Sequence, residues 1–235
     1  MFLVNRVVEI FEKVKAEGRH HLLEPEAKTV CIEYGIPVPK FKVAENVDEA
    51  IEYAEEIGYP VVLKIVSQDV IHKSDVGGVQ LSLKDEKEVR DAYEKIISNV
   101  KSKIPNARIV GVLVEEMAPK STEVIVGAIK DPQFGPALMF GLGGVFVEIL
   151  KDVTFRIAPI TEDEAYEMIR EVKAYPILKG YRGMPPADID AIVKILLNTS
   201  KLVVEHQEIV ELDLNPILVY EKGAKTVDAR IILEI

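Results

Sequence analysis

Residues 211–231 read "ELDLNPILVYEKGAKTVDARI" and contain the pattern that decides the fold. Apolar and polar residues alternate up to Asn215, which is typical of a strand with one buried face. Asp213 and Asn215 are two positions apart and therefore lie on the same face of that strand. A turn at Gly223 would fold the next strand, with Asp228, back alongside the first. The segment therefore predicts strands that gather three oxygen-bearing side chains.

Such a cluster suits Mg²⁺, which prefers a few carboxylate or amide oxygens together with phosphates and water. A purely structural interpretation is also open. In it Asp213 faces solvent, Asn215 caps a turn before Pro216, and Asp228 pairs with Arg230. That interpretation leaves the shared face of Asp213 and Asn215 unexplained, so the metal hypothesis is the stronger one.

Composition limits the remaining function classes. The chain has 235 residues, 48% of them hydrophobic, which is ample for a packed core. Its net charge of -10, without a basic stripe, argues against nucleic acid as a partner. Cys31 is the single cysteine and is expected to be a small core residue in a reducing compartment. With no apolar run long enough for a membrane span and no signal peptide, we expect a soluble, cytoplasmic protein.

Strand and helix patterns alternate through the rest of the chain. Residues 38–102 read as strand, helix, strand, loop, strand and helix. Strands dominate after that, among them "VFVEIL" (145–150), and two helices follow. The last three predicted strands are "EIVELDL" (208–214), "PILVY" (216–220) and "KTVDARIIL" (225–233).

This order predicts a mixed α/β (α+β) protein with two lobes, each a sheet with packed helices. The expected limits are an N-terminal helix in residues 1–20, a smaller lobe in 21–110 and a larger lobe in 111–235. Clefts between lobes are common ligand sites.

Two predicted strands contain charged residues whose presence in an apolar segment needs an explanation. Lys64 lies in "VVLKIV" (61–66), where an ammonium group must either reach solvent from an edge strand or meet an anion. In "LVEEMAP" (113–119), Glu115 and Glu116 end an apolar strand and precede Met117. Taken alone, that motif is also compatible with a strand that simply leaves the core.

His72 lies in "SQDVIHKSDVGGV" (67–79), a segment with too many short polar residues to be regular structure throughout. A single histidine is most often structural or merely exposed. A loop that is able to move is predicted by the small and polar neighbours of His72, which are Ser67, Ser74, Gly77 and Gly78.

Together these residues resemble the ATP-grasp fold: a lysine on a small-lobe strand, "VEEMAP" as a hinge, Glu123 on the next strand, then "DLNP" and a late aspartate. The more specific resemblance is to the β subunit of ADP-forming acetyl-CoA synthetase, a relative of succinyl-CoA synthetase. It spans the whole chain and is carried by "LLEPEAKTVCIEYGIPVP", "SQDVIHKSDVGGV", "FGLGGVFVEILKDVTFRIAP" and "LDLNPILV".

The resemblance implies one ATP-grasp domain over residues 1–235, with the nucleotide, ADP or ATP, in the cleft between the lobes. It implies that Lys64 contacts the nucleotide phosphates and that Glu123 accepts hydrogen bonds from the ribose hydroxyls. The residues implied to line the adenine pocket, partly through main-chain hydrogen bonds, are Glu115, Glu116 and Met117.

The same resemblance implies that Asn215 and Asp228 hold Mg²⁺, with Asp213 either a direct ligand or one step removed. It makes His72 the second phosphohistidine of the family, and imidazole suits this role because it keeps a lone pair near neutral pH. An α subunit, carrying the CoA and acid sites, would phosphorylate His72, which then passes the phosphoryl group to ADP. The implied assembly is α2β2.

Two other classes of function stay open from the sequence. A stand-alone carboxylate-amine ligase would share Lys64 and the metal cluster but would not need His72. It usually has a glycine-rich loop where this chain has "SQDVIHKSD". A regulatory subunit would bind ADP without taking up phosphate. The sequence also leaves open the acid used, the choice of ADP or GDP, and the roles of Glu148 and Arg156.

Overall fold

The structure is a computed structural model that describes residues 3–70, 72–181, 183 and 185–234. Side chains are described from residue 6 onward within these ranges, except at positions 145 and 148. Across these ranges no helix has the length and apolar character needed to span a bilayer.

The first half of the chain contains α1 (Leu3–Ala16), α2 (Glu24–Glu33), β1 (Phe41–Ala44), α3 (Val47–Ile57), β2 (Val61–Ser67), β3 (Val79–Leu83), α4 (Glu86–Lys103) and β4 (Ile109–Glu116). The second half contains β5 (Thr122–Asp131), β6 (Gly135–Leu142), α5 (Val145–Glu148), β7 (Val153–Ile157), α6 (Glu162–Glu171), α7 (Tyr175–Leu178), α8 (Ile189–Glu205), β8 (Ile209–Val219), β9 (Ala224–Thr226) and β10 (Ala229–Leu233).

The chain forms two compact units. The smaller unit is residues 39–119, and the larger unit combines residues 1–38 with 120–235. The sequence-based limits were 21–110 and 111–235. The difference arises because α1 and α2 pack in the core of the larger unit, although they precede the smaller one in the chain.

The smaller unit is a four-stranded antiparallel sheet in the order β1-β4-β2-β3. Residues Val61, Leu63 and Ile65 of β2 are fully buried in a core with α3 and α4. Both helices begin at a side-chain cap, since Asn46 accepts a hydrogen bond from the Glu49 amide and Asp85 accepts one from the Glu88 amide.

The larger unit is built on an antiparallel sheet in the order β10-β8-β5-β6-β7, with β9 added beside β8. One face of this sheet supplies alternate apolar side chains, such as Val126, Leu138 and Leu212, to a core shared with α1, α2, α6 and α8. Cys31 is fully buried in that core, and burial raises the pKa of its thiol to about 12. Its predicted place as a core residue is confirmed.

Three sequence-based element predictions were wrong. The segment "VFVEIL" does not form a strand, because residues 145–148 make the short helix α5. The predicted strands "EIVELDL" and "PILVY" are one continuous strand, β8, which passes through a cis peptide bond between Asn215 and Pro216. The segment "KTVDARIIL" is in turn divided into β9 and β10.

Candidate nucleotide and phosphoryl-transfer site

The acidic cluster predicted from "ELDLN" is assembled in the larger unit. Arg230 of β10 is directly opposite Asp213 of β8, so Asp228, two residues earlier, comes beside Asn215. The Asn215 amide donates to the Asp228 carbonyl oxygen at 3.2 Å. The turn at Gly223 that was expected to fold the chain back is present, with the Tyr220 amide bonded to the Gly223 carbonyl. The structure therefore brings Asp213, Asn215 and Asp228 together.

Electrostatics within this cluster favour a bound cation. The pKa of Asp213 is raised above its usual value by burial, and further by the negative charges of Asp228 and Glu211, while Arg230 opposes the shift. Two carboxylates that repel each other, beside an amide oxygen, form a donor set of the kind that Mg²⁺ accepts. In the described residues no group of three or more His, Cys, Asp or Glu side chains is arranged to hold a metal. The candidate set has two carboxylates, and the amide of Asn215 is its third donor.

Glu211 is a member of this cluster that the sequence reasoning missed. It lies on β8 two residues before Asp213 and contacts Arg230 through an ion pair of 3.7 Å. The pattern Glu211, Asp213, Asn215 at successive alternate positions already indicated that all three share a face.

A pocket of about 320 Å³ borders the cluster on the same sheet face. Gly127 of β5 is opposite Asp213 on one side and Met139 of β6 on the other, and Met139 is opposite Phe155 of β7. The pocket wall thus runs from acidic residues on β8 to apolar residues on the other strands, and its lining includes Ile125, Ile129, Ala137 and Val147.

Glu123 is exposed on β5 and alternates with Ile125, Gly127 and Ile129, which places it on the pocket face. Its carbonyl oxygen accepts a hydrogen bond from the Gly143 amide at 2.8 Å. A Cβ atom at position 143 would come within 2.8 Å of the Glu123 Cβ, so this close approach requires glycine. Gly143 of "FGLGG" therefore has a packing role beside Glu123.

Lys64 and Glu115 meet in the smaller unit. In the register of β2 with β4, Lys64 is opposite Leu113, so Glu115 is diagonal to it on the same face. The Lys64 Nζ lies 3.2 Å from Glu115 Oε2, and the two residues are only 6% and 1% exposed. Lys64 therefore contacts an anion, as one of the two sequence interpretations required.

The main-chain N–H groups after Glu115 donate hydrogen bonds within the smaller unit. The Glu116 amide donates to the Lys40 carbonyl at 2.9 Å, and the Met117 amide donates to the Pro60 carbonyl at 3.1 Å. The Glu116 carboxylate also accepts a hydrogen bond from the Lys40 amide. Both N–H groups thus already have acceptors, and the contribution of this segment to an adenine pocket stays a prediction.

His72 is exposed on the segment between β2 and β3. Residues after it form a compact turn, in which the Gly78 amide donates to the Lys73 carbonyl at 2.8 Å. A Cβ atom at Gly78 would come within 2.6 Å of the Ile65 side chain, so the segment returns to the sheet through a glycine. Ile71 lies outside the described residues.

Contacts with α4 and the start of β4 anchor this segment on both sides of His72. Before it, Asp69 accepts hydrogen bonds from the Arg108 amide at 2.7 Å and from its guanidinium at 3.1 and 3.3 Å. After it, Lys103 donates to the Asp75 carbonyl and Asn99 donates to the Gly77 carbonyl. These partners are distant in the chain, and no local sequence pattern predicts them.

Arg156, whose role was left open, makes a structural ion pair. Its guanidinium contacts both carboxylate oxygens of Glu171 on α6, at 2.5 and 3.0 Å. This contact joins β7 to α6 on the helix side of the sheet. The side chain of Glu148, the other open residue, lies outside those described.

Comparison with known proteins decides the family. A model of the ATP-grasp domain matches residues 13–233. The chain is 56% identical over 230 residues to the β subunit of acetate–CoA ligase (ADP-forming) I from Pyrococcus furiosus, covering 98% of this chain and 99% of that protein. The chain belongs to the ATP-grasp β subunits of ADP-forming acetate–CoA ligases. The resemblance and the fold class inferred from the sequence are thereby confirmed.

Other members of the family differ in length. The chain is 56% identical over 225 residues to acetate–CoA ligase (ADP-forming) I of Archaeoglobus fulgidus, which covers 96% of this chain but only 33% of that longer protein. The ATP-grasp β region therefore exists in the family both as a separate subunit and as part of a longer chain.

A solved structure of Candidatus Korarchaeum cryptofilum dinucleotide-forming acetyl-coenzyme A synthetase 1 is 52% identical, with a TM-score of 0.92 over 97% of this chain and 100% of that one. It contains coenzyme A, acetyl-coenzyme A and a phosphorylated phosphohistidine segment. A second structure of that enzyme, 51% identical with a TM-score of 0.87 over 97% of this chain and 100% of that one, contains coenzyme A and Mg-AMPPCP.

Proposed function

We propose that this chain is the nucleotide-binding β subunit of an ADP-forming acyl-CoA synthetase and that His72 carries a phosphoryl group to Mg-ADP. The observation that carries the proposal is the 56% identity to an acetate–CoA ligase β subunit over 98% of this chain. The exposed position of His72, on a segment held at both ends, agrees with a residue that must meet a partner.

The chemical step would exchange one bond for another at phosphorus. The bond between phosphorus and an imidazole nitrogen of phospho-His72 breaks, and the nitrogen keeps the electron pair. A bond forms between phosphorus and a terminal oxygen of the ADP β-phosphate, which gives ATP and neutral His72. The reverse direction phosphorylates His72 from ATP. Nucleophilic catalysis of this kind divides one transfer between distant sites into two shorter ones.

Charged residues of both units have distinct roles in this proposal. Lys64 contacts nucleotide phosphates with a compact charge, and Glu123 accepts hydrogen bonds from the ribose hydroxyls. Glu115, Glu116 and Met117 are proposed beside the adenine. Asn215 and Asp228 would hold Mg²⁺, with Asp213 next to them. When bound, Mg²⁺ would offset negative charge on the phosphate oxygens.

An α subunit is the proposed partner, because the relatives have either a separate β subunit or a longer chain that contains this region. We infer an α2β2 assembly in the cytoplasm. The larger unit exposes large apolar side chains on β5 and β7 and in the connecting segments before β6 and before β7, which we propose as the surface that the α subunit covers. Its members are Ile129, Phe134, Ile149, Leu150, Phe155 and Ile157.

Reconstitution tests this function. The chain, purified with its α subunit, should form ADP from ATP, CoA and a carboxylic acid, and the chain alone should not. Acetate, branched and aryl acids should be compared, because the α subunit is expected to set the acid. ADP formation by the lone chain with acid and amine pairs would instead support a carboxylate-amine ligase. Nucleotide binding without phosphoryl uptake in any combination would support a regulatory subunit.

A further inference from the structure

The carboxylate of Glu115 has a place in the structure that its predicted role beside adenine does not explain. Its side chain is 1% exposed and its Oε2 lies 3.2 Å from the ammonium of Lys64, the residue proposed to contact nucleotide phosphates. A buried carboxylate thus lies beside Lys64, the single lysine of β2.

We propose that Glu115 is a positioning residue, which keeps the Lys64 ammonium protonated and holds it in the direction that phosphate oxygens approach. This inference rests on the proposed function, because it assigns Lys64 to the nucleotide. It differs from the adenine role, since Glu115 would act on the nucleotide through Lys64.

The surroundings of Lys64 show why it needs such a partner. Its neighbours at alternate positions on β2 are Val62 and Val66, and opposite it on β3 and β4 are Val79 and Leu113. Val62, Val66 and Leu113 are at most 5% exposed. An ammonium among such side chains loses solvation, which favours its neutral form, whereas a carboxylate within about 4–6 Å favours the charged form.

Other charged groups of the smaller sheet serve different contacts. Lys42 of β1 alternates onto the opposite face, where it contacts Glu56 of α3. Glu116 is bonded to the Lys40 amide, and Asp69, in the segment after β2, is bonded to Arg108. Among the described strands of this sheet, Glu115 is the acid placed on the same face as Lys64.

Burying the Lys64–Glu115 pair costs desolvation free energy, and the stability of the fold does not require this pair. Replacing a buried ion pair by apolar residues of similar volume is often neutral or stabilising, so the pair is poor evidence for a stabilising role. A charge held ready in a poorly solvated site, however, stabilises developing charge on phosphate more strongly than one in water.

The test is Glu115→Gln, which keeps the size of the side chain and an oxygen for the Lys64 hydrogen bond while removing the charge. Mg-ATP affinity and the labelling of His72 from γ-labelled ATP are measured between pH 6 and 9, with the α subunit present. We expect the ratio of wild-type to variant affinity to grow by about tenfold over this range, because the uncompensated lysine loses its proton as pH rises. Labelling should fall in parallel.

Two further variants make the result specific. Glu115→Asp keeps the charge and should restore the wild-type shape of the pH profile even if the absolute affinity is lower. Glu24→Gln is a matched control, because Glu24 forms a buried pair of 2.9 Å with Lys28 in the larger unit, with side chains 3% and 0% exposed. It should change stability without changing the pH profile.

An equal loss of affinity at every pH would overturn the inference and return Glu115 to an adenine or structural role. Unchanged affinity would overturn it as well.

Failure of the proposed function looks different: wild type would then bind Mg-ATP but leave His72 unlabelled, and the pH dependence of affinity would still report on Glu115. Should Glu115→Gln not fold, the shape of the Glu115→Asp profile and the melting temperature of Glu24→Gln decide between a pair-specific and a general burial effect. A Glu115→Asp profile unlike wild type would count against the inference.

Discussion

Two charged clusters, one in each unit, differ in how their charges are arranged. In the smaller unit, Lys64 and Glu115 carry opposite charges on neighbouring strands and neutralise each other as the sheet forms. In the larger unit, Asp213 and Asp228 carry the same charge, and their repulsion helps to raise the pKa of Asp213. The first cluster is balanced by the fold itself. In the second, two like charges lie close together, and we propose that a cation offsets them.

The largest effect is expected from breaking the balanced pair. Lys64→Met would leave Glu115 buried without this partner, which should lower the free energy of unfolding by about 4 kcal/mol. The melting temperature, measured without nucleotide, should then fall by about 10 °C. Adding Glu115→Gln to Lys64→Met should recover most of this loss. A single variant as stable as wild type would show that the pair is not balanced within the fold.

A substitution in the cluster of Asp213, Asn215 and Asp228 is expected to change the activity. Asp228→Ala removes a proposed Mg²⁺ ligand and should lower the rate of phosphoryl transfer by about 100-fold, with the fold intact by circular dichroism. Glu221→Ala changes an exposed acid in the turn after β8 and serves as the control. A rate for Asp228→Ala equal to that of the control would remove Asp228 from the site.

A smaller effect of opposite sign is expected from Asp213→Asn. Removing one of two repelling carboxylates should raise the melting temperature in EDTA by about 2 °C. The further rise on adding Mg²⁺ should shrink, because stabilisation by a ligand depends on its affinity for the folded state. A lower melting temperature in EDTA would mean that Asp213 is stabilised by its surroundings, and the contrast between the two clusters would fail.

The smallest effect concerns a buried group outside both clusters. His206 packs edge-on against Phe11 and Tyr34, and among the described residues its Nε2 has no hydrogen-bond partner. Burial lowers its pKa below 6.5, so the unfolded state binds the proton first and stability should fall as pH decreases from about 6.5. Denaturant titrations of wild type and His206→Leu should show this slope in wild type alone. An equal slope in both would assign it to other groups.

Contacts in the site could be predicted from the sequence where local patterns determine them, and not where they depend on how distant segments pair. Asp213 and Asn215 could be paired from the sequence because alternation fixes the face of a strand locally, and a turn at Gly223 brought Asp228 into reach. The contact of Lys64 with Glu115 could not be predicted, because it depends on the register of β2 against β4. The anchoring of the His72 segment by Arg108 and Lys103 likewise depends on how α4 packs.

Fold prediction failed where local patterns were ambiguous. The apolar run "VFVEIL" has no period that separates a strand from a short helix, and it became α5. The proline after Asn215 suggested a break between strands, yet β8 continues through it. The place of α1 and α2 in the larger unit required knowledge of tertiary packing, which no local pattern contains.

Phosphorylation of His72 tests the central claim most directly. Incubation with ATP labelled at the γ-phosphate and Mg²⁺, for the chain alone and with its α subunit, should leave acid-labile, base-stable label on His72. His72→Ala should abolish the label, whereas His20→Ala, at another exposed histidine, should retain it. His72 without label in both preparations, alongside normal ligase turnover, would show that phosphate takes another route and that this histidine is structural.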